Sequence, residues 1–108
     1  MTHVVVVRRN NRIVSVECTG HTGYGEEGED IVCAALSSIV QTAALGLLQV
    51  VGVRLDYKVG KGGYLKMSLP DDLDGKTRHD CDTVLETMLL GVADLNQGYS
   101  DFIELEVK

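Results

Sequence analysis

The chain predicts a two-layer α+β domain, order ββαββαβ, with two helices over a mainly antiparallel/mixed five-stranded sheet. Three observations carry that reading. Five short segments alternate apolar and polar residues, the period of a half-buried strand. No charged residue occurs from Ile31 to Val53, a stretch of helical length. A further segment repeats its apolar residues every three or four positions, the period of an amphipathic helix. With 108 residues, 44% hydrophobic and 24% charged, residues 1–108 make one domain with one modest core. Four tyrosines, one phenylalanine and no tryptophan leave that core to Val, Leu, Ile and Ala.

Residues 3–8 and 12–18 read as strands joined at Asn10-Asn11, a pair that tolerates the left-handed backbone of a tight hairpin. In the second, Val14, Val16 and Cys18 are expected inward, with Ser15 and Glu17 outward. A buried helix is expected from about Ile31 to Val50, apolar nearly all the way round. Its length would let it span a bilayer. However, Ser37, Ser38, Gln41, Thr42 and Gln49 interrupt it and a strand follows directly, so no membrane span is expected. Residues 53–59 alternate as a strand, "GKGG" at 60–63 turns the chain, and Leu65, Met67 and Leu69 mark the return strand. The "PDDLDG" stretch reads as a loop, with His79 and Cys81 ahead of the second helix. Val84, Leu85, Met88, Leu89, Val92 and Leu95 form the apolar face of that helix, and Gly98 is its stop. Ile103, Leu105 and Val107 belong to a final strand.

Charge and cysteine usage narrow the function. A formal net charge of −6 is the wrong sign for binding nucleic acid through displaced counterions. The opening "MTHVVVVRRN" has an apolar run of only four residues and no cleavage pattern, so no secretory signal is expected. Cys18, Cys33 and Cys81 form an odd set without metal-ligand spacing, which suggests free thiols in a reducing cytoplasm. "GKGG" lacks the spacing of a phosphate loop, and His79 with Cys81 supplies too few ligands for zinc. Neither a metal nor another cofactor is expected.

The chemistry concentrates in "GHTGYGEEGEDIVCAALSSIV", residues 20–40. Asp30 has the side chain of an N-cap, which would make Cys33 the third residue of the helix. There the helix dipole and free amides would favour a thiolate and hold an oxyanion. His21 would be the base of a nucleophile–base pair, brought over the helix end by a glycine-rich loop. Spacing alone leaves the bland alternative standing: free cysteines are usually buried, and "IVCAAL" also reads as core. The carboxylates of Glu26, Glu27, Glu29 and Asp30 would in addition oppose a thiolate.

The same stretch resembles the signature of the ribosomal-processing cysteine protease family: GH, a glycine-rich loop, then G-x-D-I-V-C-A-A-x-S. The resemblance extends to length, two-helix α+β layout and homodimeric state, while specific identity lies in residues 20–37. It implies that His21 is the catalytic histidine and Cys33 the nucleophile, with Gly20, Gly28, Asp30 and Ser37 at the surrounding motif positions. At Thr22-Gly23 the chain departs from the small alanine- or serine-like residue that often follows the GH. The implied activity removes a short N-terminal extension from the large-subunit ribosomal protein L-twenty-seven, in the cytoplasm. On that reading Asp30 caps the helix or orients His21, and Ser37 lines the site. The alternative from another class is a non-catalytic homodimeric module that docks on a ribosome-associated partner, since an apolar helix suits a dimer interface without any chemistry.

Overall fold

The computed structural model describes residues 1–20 and 27–108, with residues 27–30 described by backbone alone. Strands β1 (Thr2–Arg9) and β2 (Arg12–Thr19) form the expected hairpin. Asn10 and Asn11 both take positive φ, 55° and 65°, which turns the chain with the twist the strands require. Helix α1 (Glu27–Leu45) follows and closes in a π-helical turn over Gly46–Val51. Then come β3 (Asp56–Val59), β4 (Leu65–Ser68), α2 (Gly75–Gly98) and β5 (Ile103–Val107). The sheet runs β3-β4-β2-β1-β5, with β1–β5 parallel and the other pairs antiparallel. This is the predicted mixed five-stranded sheet with two helices.

Alternate strand residues meet the helices. Val4 and Val6 of β1, Val16 of β2, Leu65 and Met67 of β4 and Ile103 of β5 are buried under Leu36, Val40 and Leu47 of the first helical segment and Leu85, Met88 and Val92 of α2. Arg8 closes one end of this sandwich. Its two guanidinium nitrogens donate to the carboxylate oxygens of Glu86 at 2.6 and 2.9 Å, which holds the Glu86 carboxyl below its ordinary pKa.

Four sequence expectations change. Ile13, not Val14, is buried on β2, because the register passes from Val7↔Ser15 to Arg8↔Ile13 and leaves Val14 as the extra residue of a bulge. β3 starts at Asp56 rather than residue 53. Gly52, at φ 83°, ends the helix, and the N–H groups of Gly52 and Val53 both donate to Leu47 O at 3.0 Å. α2 starts at Gly75, because the Asp74 carboxylate accepts from Thr77 N at 2.7 Å and caps it; His79 and Cys81 therefore lie within its first turns, His79 exposed and Cys81 buried. α1 already runs from Glu27, so Asp30 is its fourth residue and not its N-cap, and the end of the expected loop is helical.

α1 is also more amphipathic than its composition implies. At about 100° per residue, Ala34, Ser37, Ser38, Gln41, Thr42 and Leu45 share one exposed arc, while Val32, Leu36, Val40, Ala43, Ala44 and Leu47 share the buried one. The five polar residues that interrupt the sequence collect on the solvent side. The small residues serve packing inside the chain: Ala43 and Ala44 are buried, Gly46 lies against Val84 of α2, and a Cβ on Gly91 of α2 would come within 3.3 Å of Ile39 Cγ2. Ile31, Leu45 and Val50 remain exposed. Truncating Leu47 to Ala is expected to lower unfolding free energy by about 2–5 kcal/mol in urea titration. Val50→Ala, at a site 84% exposed, should stay within about 0.5 kcal/mol.

Candidate active site

Cys33 is the seventh residue of α1 and lies at the edge of the buried arc, 7% exposed. That edge overhangs a cavity of about 380 Å³. Ser37 and Gln41 follow Cys33 at four-residue spacing and line the same cavity. Thr2 of β1 and Cys18 of β2 form its floor, and Val59, Gly60, Gly63, Tyr64 and Leu65 of the β3–β4 connection form its far wall. The sulfur has a polar neighbour: Thr2 Oγ1 lies 3.3 Å from Cys33 Sγ in a buried contact between strand and helix. Tyr64 donates its hydroxyl to Glu17 Oε2 at 3.3 Å on the cavity's outer side.

Gly20 anchors the chain that leads to His21. Its φ is 88°, and a Cβ there would lie 2.8 Å from Met1 O and 3.1 Å from His3 Cδ2. No other residue fits that backbone and that contact. The packing sets the end of β2 beside the start of β1, where Thr2 meets Cys33. His21 and the rest of loop 21–26 lie outside the described residues. Gly28 and Asp30 are in the first turn of α1 by backbone. The structure thus brings Cys33 and Ser37 to one cavity, sets Gly20 against Met1 and His3 at the start of β1, and places Gly28 and Asp30 on the helix that carries Cys33.

The longer helix alters the expected electrostatics. Unbonded amides belong to the first four residues of a helix, and the dipole acts within the first turn. As the seventh residue, Cys33 is beyond both. The polar side chains that line the cavity are instead those of Thr2, Ser37, Gln41 and Tyr64. Thr2 and Gln41 were not singled out from sequence. The signals were available: a threonine at an inward position of a valine strand, and a glutamine at helical spacing from Cys33 and Ser37.

The other two thiols lie in environments that oppose ionisation. Burial, and then the negative charge of Glu17, pushes the Cys18 thiol up to about 11. Burial also raises Cys81, which is fully enclosed on the inner face of α2. His3 Nδ1 lies 3.4 Å from Glu104 Oε2 on the open side of the sheet, and both side chains are well exposed.

Comparison with known proteins gives a consistent match. The family model for cysteine protease Prp matches residues 1–104. The ribosomal processing cysteine protease Prp of Bacillus subtilis is 30% identical over 90 residues, spanning 82% of this chain and 80% of that protein. The Staphylococcus aureus protein of the same name is 25% identical over 105 residues, spanning 96% and 95%. Among solved structures, the S. aureus protease in complex with a substrate peptide superposes with a TM-score of 0.88 at 24% identity over all of both chains. A Streptococcus mutans protein superposes at 0.79, with 34% identity over 99% of this chain and 93% of that one.

The three thiols should differ in reactivity. With Cys18 raised to about 11, about one molecule in a thousand carries that thiolate at pH 8. Iodoacetamide at that pH, followed by peptide mass mapping, should label Cys33 before Cys18 or Cys81. Equal labelling of all three in the folded protein would contradict the assignment.

Proposed function

The chain belongs to the cysteine protease Prp family, and we propose that it removes the N-terminal extension of the large-subunit ribosomal protein L-twenty-seven, with Cys33 as nucleophile and His21 as base. The observation that carries this reading is the position of Cys33 in the wall of a cavity, with Ser37 and Gln41 in line behind it. Cys81 is fully enclosed in the core, and Cys18, which shares the cavity, is pushed up to about 11 by burial and then by Glu17.

In the proposed reaction His21 takes the Cys33 proton and the sulfur attacks the scissile carbonyl carbon. The C–S bond forms as the carbonyl electron pair moves to oxygen. In this proposal Ser37, one helical turn beyond Cys33 on the same cavity, is the candidate side-chain donor to that oxygen. The C–N bond then breaks, His21 returns its proton to the leaving amine, and water hydrolyses the thioester. Gly28 and Asp30 act through the shape and charge of the α1 start. The acidic balance of the chain suits a basic ribosomal substrate, since complementary charge raises the rate of encounter. A soluble protein of the cytoplasm is the setting this substrate requires.

We also propose a homodimer. Most of the apolar side chains of the first helical segment are buried within the chain, so the support is narrower than a helix apolar all round would give. It rests on an open groove of about 540 Å³ between α1 and α2, lined by Ile39, Ala43, Val84 and Met88 with Ser38, Thr42, Thr83 and Thr87, and on exposed Leu45 and Leu90 nearby in sequence. Sedimentation equilibrium at micromolar concentration is expected to give twice 11.7 kDa; the single value would leave the groove without a second copy.

Cleavage of the extension-bearing ribosomal protein, read by mass spectrometry, tests the chemistry. Cys33→Ala should abolish it and His21→Ala should slow it by at least roughly a hundredfold. Cys18→Ala and Cys81→Ala should remain active if folded. Undiminished cleavage by Cys33→Ala would sink the mechanism.

A further inference from the structure

We propose that Thr2 is a further residue of the reaction, its hydroxyl holding the Cys33 sulfur in place and donating to it as a thiolate. The proposal rests on Cys33 being the nucleophile. It starts from a misfit. The inward positions of β1 after Thr2 are Val4 and Val6, both fully buried, and a valine at position 2 would have nearly the same shape. Thr2 instead puts a hydroxyl there at 4% exposure, the one buried polar side chain among the described residues. Burial of a hydroxyl is unfavourable unless it is bonded, and the partner here is Cys33 Sγ at 3.3 Å.

The geometry is held from both sides. Thr2 N donates to Phe102 O at 2.9 Å, which pins the start of the strand against the chain entering β5. A β-branched side chain on a fixed backbone has few rotamers, so the hydroxyl position is set. On the other side Cys33 lies in the body of α1, beyond the first-turn amides. Thr2 therefore provides at the sulfur the donor that the helix terminus does not. In the resting thiol either atom can donate. Once the proton leaves, the sulfur only accepts, and the Thr2 O–H turns toward it. A bond to the charged form favours that form and fixes its direction of attack.

The other ionisable groups lining the cavity are Cys18 of β2 and Tyr64 ahead of β4, with Glu17 bonded to Tyr64. Neither Thr2→Val nor Thr2→Ser changes them. Thr2→Val keeps the shape and removes the donor, Thr2→Ser restores the donor, and Thr2→Ala is a second donor-free variant; circular dichroism melts report folding. The first readout is the pH profile of Cys33 alkylation by iodoacetamide, followed by peptide mapping without substrate. The second is steady-state cleavage of the extension-bearing ribosomal protein. Both donor-free variants are expected to move the alkylation midpoint up by roughly one pH unit. They should lower kcat by about tenfold with KM within about twofold, the pattern of an interaction that acts on the chemical step. Thr2→Ser should recover both. An unmoved profile in a folded donor-free variant, or Thr2→Ser as impaired as Thr2→Val, would overturn the proposal. Cleavage retained by Cys33→Ala would instead remove the nucleophile assignment, whereas the substrate-free profile tests the Thr2–Cys33 contact itself.

Discussion

The packing of α1 on the sheet is the constraint from which the rest of the molecule follows. A long uncharged helix must bury its apolar arc, and one sheet face with one partner helix can cover only that arc. Val32, Leu36, Val40, Ala44 and Leu47 meet this demand. α2 closes against the flank that carries Ile39 and Gly46, where Gly91 and Val84 allow close approach. Among the described residues the other flank has no helix beside it. It overhangs β4 and the ends of β1 and β2, and the cavity is the space left there. Cys33, Ser37 and Gln41 occupy that flank because residues four apart share one side of a helix. The same packing that stabilises the domain thus decides which residues face the cavity.

Much of this was legible in the sequence, for reasons that can be named. Period-two alternation located the strands because one face of the sheet is buried and the other is open. Asn10-Asn11 marked the hairpin because both residues adopt a conformation few others tolerate. Boundaries were less legible. Asp30 has the chemistry of an N-cap, but the chain is already helical at Glu27, so capping propensity at one residue did not decide the start. Asp74 is the converse: an aspartate within an apparent acidic loop is the real cap of α2. The bulge at Val14 was invisible because alternation assumes an unbroken register.

The site divides along similar lines. The motif around Cys33 is local, so it could be read directly. Thr2 depends on strand pairing 31 residues away from Cys33, and the Val59–Leu65 wall depends on the return of a later hairpin. No window of sequence contains these relations. His21 is proposed from the motif alone and lies outside the described residues. The helix-dipole argument for the thiol was physically sound but applied to the wrong turn, and the correction moves attention from the helix terminus to the strand beneath it.

That shift also bears on how one thiol is distinguished from the other two. All three cysteines are buried by the same folding event, so exposure by itself separates them poorly. Cys18 and Cys33 even share a cavity. What differs is the neighbour each sulfur meets. Burial, and then the charge of Glu17, pushes Cys18 up to about 11; Cys33 has a hydroxyl at 3.3 Å. The two sulfurs on one cavity thus have different neighbours, a carboxylate for Cys18 and a hydroxyl for Cys33. The register of β1 on β2 sets both conditions: Val4 lies opposite Cys18, while Thr2, two residues earlier on the same inward face, reaches Cys33. A one-residue slip of β1 would turn Thr2 to the open face and put a neighbour in its place. Strand register, fixed by the Asn10-Asn11 turn and the valines below the helices, therefore sets the surroundings of the sulfur as well as the core.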